Sequence, residues 1–131
     1  MKVIYPDISK YIGFNCHDKE KPFYALKGFC FIVYKDTHDK DVYYIPKNFK
    51  SDGCTLKLKI FKVLLGCSHT PEYLPASIIH DFLCNDKSKI DRKTASQIFK
   101  YVLIKEGVSK FKATLMYLGV EFYQKFINKW K

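Results

Sequence analysis

The period of the hydrophobic positions changes along the chain, from about two residues to about three and a half, separating a strand-forming N-terminal part from a helix-forming remainder. Phe23 to Lys35 is rich in Phe, Tyr, Val and Ile in imperfect alternation, which is strand composition. Asp36-Thr37-His38-Asp39-Lys40 is a polar turn sequence, and Val42, Tyr43, Tyr44 and Ile45 resume the apolar run up to Pro46. The two runs predict an antiparallel hairpin. Ser51-Asp52-Gly53 is the next turn signal, and Leu56 to Leu65 follows with a short helical pattern closed by Gly66.

Three further helices carry clearer punctuation. Thr70 as N-cap, Pro71 at the first helical position and Glu72 in the first turn begin a helix that runs to about Cys84, with Pro75 near enough to the start to be tolerated. Asp91 opens the next, whose Ala95, Ile98, Phe99, Val102 and Leu103 recur as one buried stripe and which stops at Gly107. Ser109 opens the last, with Phe111, Leu115, Leu118, Phe122, Phe126 and Trp130 assigned to the inner face and Lys112, Gln124, Lys125 and Lys129 to the wet side. Strands first and helices after, with no repeat or linker, predict one α+β domain over residues 1–131. Its N-terminal antiparallel hairpin or small sheet is expected to pack against a C-terminal set of three to four helices.

Composition then narrows the class. Hydrophobic residues at 47% and aromatics at 17% provide for a packed core in a chain of 131 residues without a metal or disulfide staple. The first residues lack the apolar run and cleavage site of a secretory signal, and no segment reaches transmembrane length, so the expected location is the host-cell cytoplasm or a virion. Five cysteines, Cys16, Cys30, Cys54, Cys67 and Cys84, form no C-x-x-C pair and fit reduced thiols, mostly in the core. Zinc binding by Cys54, Cys67, His69 and Cys84 matches no closed tetrahedral spacing.

The formal charge of +10 raises nucleic-acid or membrane-surface binding. Arg92 is the only arginine, however, so the planar fork that reads guanine is nearly absent and a genome-wide lysine bias is the simpler account. Non-specific contact through lysines is therefore not the favoured reading. The partner expected instead is a viral or host protein.

One constellation carries candidate chemistry. His80 and Asp81 interrupt an apolar run, with Ala76-Ser77-Ile78-Ile79 before them and Phe82-Leu83-Cys84 after. Neighbours on a helix project about 100° apart, so the two line one concavity more readily than they bond each other. Asp52 stands in a turn beside Gly53, where backbone can approach a ligand closely. In one reading His80 is a general base or metal ligand, Asp81 and Asp52 orient it or bind a hard cation, and Gly53 admits the ligand. A divalent metal is the cofactor that reading admits, with His80 and Asp81 as its ligands. In the other, His80 donates to a backbone carbonyl and Asp81 caps the following turn near Lys87 or Lys89.

Tyr44 to Thr55, followed by Pro75 to Leu83, resembles the phage and prophage family called domain of unknown function 1353. Its pattern is an extended V-P-x-G-F-x-T-D-G-x-S segment, an A-x-x-H-D-Y-L-Y helix, a helix with A-D-x-x-F and a last helix with W/L-M-Y. Ala95-Ser96-Gln97-Ile98-Phe99 and Leu115-Met116-Tyr117 match the last two, and the likeness covers roughly residues 23 to 126. It carries over Asp52, Gly53, His80 and Asp81. It departs at Ser96, where the family places Asp, and at Thr55 to Leu58. The resemblance implies viral ancestry and a shared polar site without lending an activity.

Two functions follow. The first is a phage- or prophage-encoded accessory protein, a non-catalytic viral component or partner-binding module in which Asp52, His80 and Asp81 form a polar cluster. The second is a small, metal-assisted hydrolase with the same three residues as its catalytic site. The departure at Ser96 favours the first.

Overall fold

The alternation in the N-terminal part becomes short strands in two separate sheets. The computed structural model describes residues 1–18, 21–51, 73–85 and 90–122. The strands are β1 (Lys2–Ile4), β2 (Ile12–Phe14), β3 (Phe23–Ala25), β4 (Phe29–Tyr34), β5 (Lys40–Ile45) and β6 (Lys50–Ser51), with a 3-10 turn at Ile8–Lys10. One sheet has the order β1-β4-β5 and the other β2-β3-β6, with antiparallel pairing throughout. With the helices α1 (Leu74–Asn85), α2 (Arg92–Lys105) and α3 (Lys110–Phe122), this is the expected α+β arrangement. The chain divides into two compact units, Met1–Gly53 and Cys54–Lys131.

The predicted hairpin is β4 and β5, and its period-two pattern sorts two faces. Phe29, Phe31 and Val33 are buried along with Tyr43 and Ile45, while Cys30, Ile32 and Tyr34 point the other way with Lys40, Val42 and Tyr44. Phe31 pairs directly with Tyr43, their rings stacked at 5.0 Å. Asp36 shapes the connection: its Oδ1 accepts from the backbone N–H of His38 at 2.7 Å and of Asp39 at 2.9 Å.

The run Phe23 to Lys35, expected as one strand, is two strands in different sheets. The chain leaves β3 at Leu26, whose N–H donates to the Tyr11 carbonyl at 2.7 Å, and enters β4 after Gly28. The tip of the Tyr44 side chain lies close to Gly28, so a side chain there would displace the tyrosine hydroxyl. After β5 the chain reverses at Pro46–Phe49, where Asn48 takes a φ of 70°, the left-handed value that the third position of a type II turn needs.

Helix punctuation is largely as predicted. Ser109 Oγ accepts from the N–H of Lys112 at 3.3 Å, so it is the N-cap of α3. At the end of α2, Gly107 N–H donates to Ile104 and Val108 N–H to Leu103, a Schellman closure with the glycine at φ 100°. Asp91 precedes α2 in extended conformation but makes no side-chain cap bond. Thr70, Pro71, Glu72 and the pattern Leu56 to Leu65 lie outside the described residues.

The inner face of α3 differs from expectation. Burial on α3 falls on Ala113, Met116, Gly119 and Val120, and the larger Phe111 (76%), Leu118 (52%) and Phe122 are left exposed. Phe126 and Trp130 lie outside the described residues. The sole arginine ties the two helices together, with Arg92 Nε 3.4 Å from Glu121 Oε1. Beside it, burial and then Glu121 raise the Tyr117 hydroxyl above its ordinary pKa, with Arg92 opposing. Among the described residues no helix is long and apolar enough to cross a membrane.

The Schellman closure is directly testable. A Cβ at Gly107 meets nothing within 4 Å, so Gly107→Ala acts through backbone strain alone. Denaturant melts should show a loss of about 1–2 kcal/mol for Gly107→Ala and a smaller one for Gly107→Asn. Equal stability of Gly107→Ala and wild type would contradict the left-handed closure.

Candidate functional site

α1 is buried on more than one side, and its few polar groups must therefore find partners in the interior. Pro75, Ala76, Ser77, Ile78, Ile79, His80 and Leu83 are all enclosed. Pro75 falls in the first turn, where its missing N–H leaves no intrahelical bond unmade. Ser77 bonds back along the helix, its Oγ donating to the Tyr73 carbonyl at 2.8 Å.

His80 is 5% exposed. Its ring lies against Phe99 of α2, with centroids 5.2 Å apart and the planes tilted by 53°. One turn further along α1, the Cys84 sulfur sits 3.6 Å from Nδ1 and 3.7 Å from Nε2. Near-equal distances single out neither nitrogen, and which group donates depends on the imidazole tautomer. Among the described residues, this thiol is the polar group found beside the ring. Burial lowers the His80 pKa from 6.5 to about 4, because an imidazolium in this setting would lose its hydration. At neutral pH the ring is uncharged.

Asp81 is half-buried on the neighbouring side of α1. The structure thus brings His80 together with Phe99 and Cys84. Asp52 and Gly53, the other two residues expected at the site, lie outside the described residues, as do Cys54, Cys67 and His69. Among the described residues no group of three or more His, Cys, Asp or Glu is placed to hold a metal. Cys16, Cys30 and Cys84 are free thiols; Cys16 and Cys30 are exposed, against the expectation that most cysteines are core residues.

The arrangement limits the chemistry available. A general base has to reach the proton it removes, and a ring that Phe99 and α1 enclose does so only after the helices part. A Cys84–His80 nucleophilic pair would need an imidazolium beside the thiolate, the form that burial opposes. Two neighbours escaped the sequence reading. Cys84 was visible at i+4 from His80, the spacing at which helical side chains meet. Phe99 belongs to another helix, and only packing reveals it. Ser96, one turn before Phe99, is fully buried, and its hydroxyl has no hydrogen-bond partner among the described residues.

A family model described as "Protein of unknown function (DUF1353)" matches residues 26–120. The chain is also similar to the "Uncharacterized protein y4jT" of Sinorhizobium fredii (strain NBRC 101917 / NGR234). The two are 33% identical over 79 residues, which is 60% of this chain and 23% of that protein. The chain thus corresponds to less than a quarter of that relative's length. No solved structure matches.

The neutral His80 sets a pH dependence. Its folded pKa lies below the unfolded value, so below pH 6.5 the unfolded chain binds a proton that the folded chain refuses until about pH 4. Stability falls as pH drops through that window, by on the order of 3 kcal/mol at its lower end. His80→Leu should abolish that component in denaturant melts at stepped pH. Parallel pH profiles for the variant and wild type would contradict it.

Proposed function

The chain belongs to the DUF1353 family, and on that footing we propose that it is a phage- or prophage-encoded accessory protein that acts without catalysis. It binds a viral or host protein in the host cytoplasm or the virion. The observation that carries this reading is the enclosure of His80, which sits among apolar neighbours with a lowered pKa. Catalytic and ligating histidines need access to substrate or solvent. A buried neutral ring against Phe99 serves the helix packing, as polar groups in cores do when they are matched to their neighbours.

A binding component also needs a surface to offer. α3 carries Phe111, Leu115, Leu118 and Phe122 at helical spacing, with Phe111, Leu118 and Phe122 exposed. Apolar side chains grouped this way on a surface mark interaction sites more often than chance.

Metal titration separates this reading from the metal-assisted hydrolase of Asp52, His80 and Asp81. A site with a dissociation constant near 10 µM would stabilise the fold by about 2.7 kcal/mol at about 1 mM metal. Thermal melts with zinc, manganese or magnesium should leave wild type and His80→Leu equally unshifted. A metal-dependent rise in wild type that His80→Leu and Asp81→Asn both lose would overturn the non-catalytic reading.

A further inference from the structure

The outward face of β1-β4-β5 places tyrosines beside lysines in register. Its cross-strand register gives successive rows: Lys2, Tyr34 and Lys40; then Ile4, Ile32 and Val42; then Cys30 and Tyr44. In the first row an aromatic ring stands between two exposed ammonium groups. None of these eight positions is Asp or Glu, although the chain has 13 of them. Asp41, the acidic residue of β5, lies on the opposite side and pairs with Lys35 at 3.6 Å.

Tyr44 is 57% exposed, with the hydroxyl end of its ring close to Gly28. Tyr34 and Tyr44 are separated by about 13 Å along the strands, four residues of β4 at the usual strand rise. Beside Tyr34 an open cavity of about 420 Å³ is lined by Met1, Lys2, Ile4, Tyr34, Asp36 and Thr37. One oxygen of Asp36 is already engaged by two backbone N–H groups.

We propose that this face binds single-stranded nucleic acid, with bases stacking on Tyr34 and Tyr44 and phosphates held by Lys2 and Lys40. Flat aromatic rings interleaved with lysines are what sequence-tolerant single-strand binding requires, since every base has a π-face and every linkage a charge. The overall charge of +10 attracts a polyanion over distance and opposes pairing with a second copy of the chain. The proposal goes beyond the protein-partner reading and is independent of it, because neither His80 nor the α3 stripe takes part.

The test uses the full chain with a fluorescein-labelled oligothymidylate, in anisotropy titrations at several salt concentrations. Tyr34→Ala and Tyr44→Ala should each weaken binding about ten-fold, and Tyr34→Phe and Tyr44→Phe should restore it. Removing Lys2 and Lys40 together should reduce the salt slope by about 1.4. Cys30 lies on the face and Cys16 does not, so oligothymidylate should slow iodoacetamide alkylation of Cys30 alone, resolved by peptide mass. Absent binding would overturn the proposal. So would binding that ignores both tyrosines and leaves Cys30 unprotected, which would assign it to lysines elsewhere. Equal protection of Cys30 by polyglutamate would overturn it in favour of an acidic protein surface. Because the His80 variants are not used, none of these failures bears on the non-catalytic reading.

Discussion

The packing of the second helix against both of its neighbours governs the helical unit. Ala95 and Ser96, Ile98 and Phe99, and Val102 and Leu103 are buried in adjacent pairs, so the apolar surface is a broad band rather than a narrow seam. α1 packs on part of that band and brings His80 to Phe99. α3 packs on another part, and the Arg92–Glu121 pair joins the start of α2 to the last turn of α3. The Schellman closure at Gly107 turns the chain between those two helices. The environment of His80 is a consequence of this packing.

That environment is what supports the non-catalytic reading of the His-Asp doublet. A histidine kept for chemistry is held where it can exchange protons with a substrate, and its pKa is tuned toward the working pH. Here burial moves the pKa away from neutrality, and the Cys84 thiol lies at similar distances from the two ring nitrogens. What the ring provides is shape and aromatic contact with Phe99. The exposed chemistry lies elsewhere, on the rows of the β1-β4-β5 face and on the outer side of α3.

Much of the fold was legible because its signals are local. The hairpin of β4 and β5 follows from alternation, and the ends of α2 and α3 follow from Gly107 and Ser109, whose roles depend only on adjacent backbone. β1 and β2 were not legible, because three residues are too few to show a period. The division of Phe23 to Lys35 is not legible because its two halves pair with different, distant strands, β3 with β2 and β6, and β4 with β1 and β5. The buried face of α3 is not legible from side-chain size, since Ala113 and Gly119 are buried and Phe111 is exposed. At the site, the burial of His80 could be read from Ile78, Ile79 and Leu83 around it. Its contact with Phe99 could not, since nothing in the sequence says which face of α2 meets α1.

Accessibility of the imidazole tests the central claim most directly. Diethylpyrocarbonate attacks neutral imidazole, so a low pKa gives His80 no protection and only enclosure does. His17 and His38 are exposed and serve as internal standards. In the native protein at neutral pH, peptide-resolved mass spectrometry should find His17 and His38 modified and His80 intact until denaturant opens the helices. Modification of native His80 at the rate of His17 and His38 would contradict its place in the core.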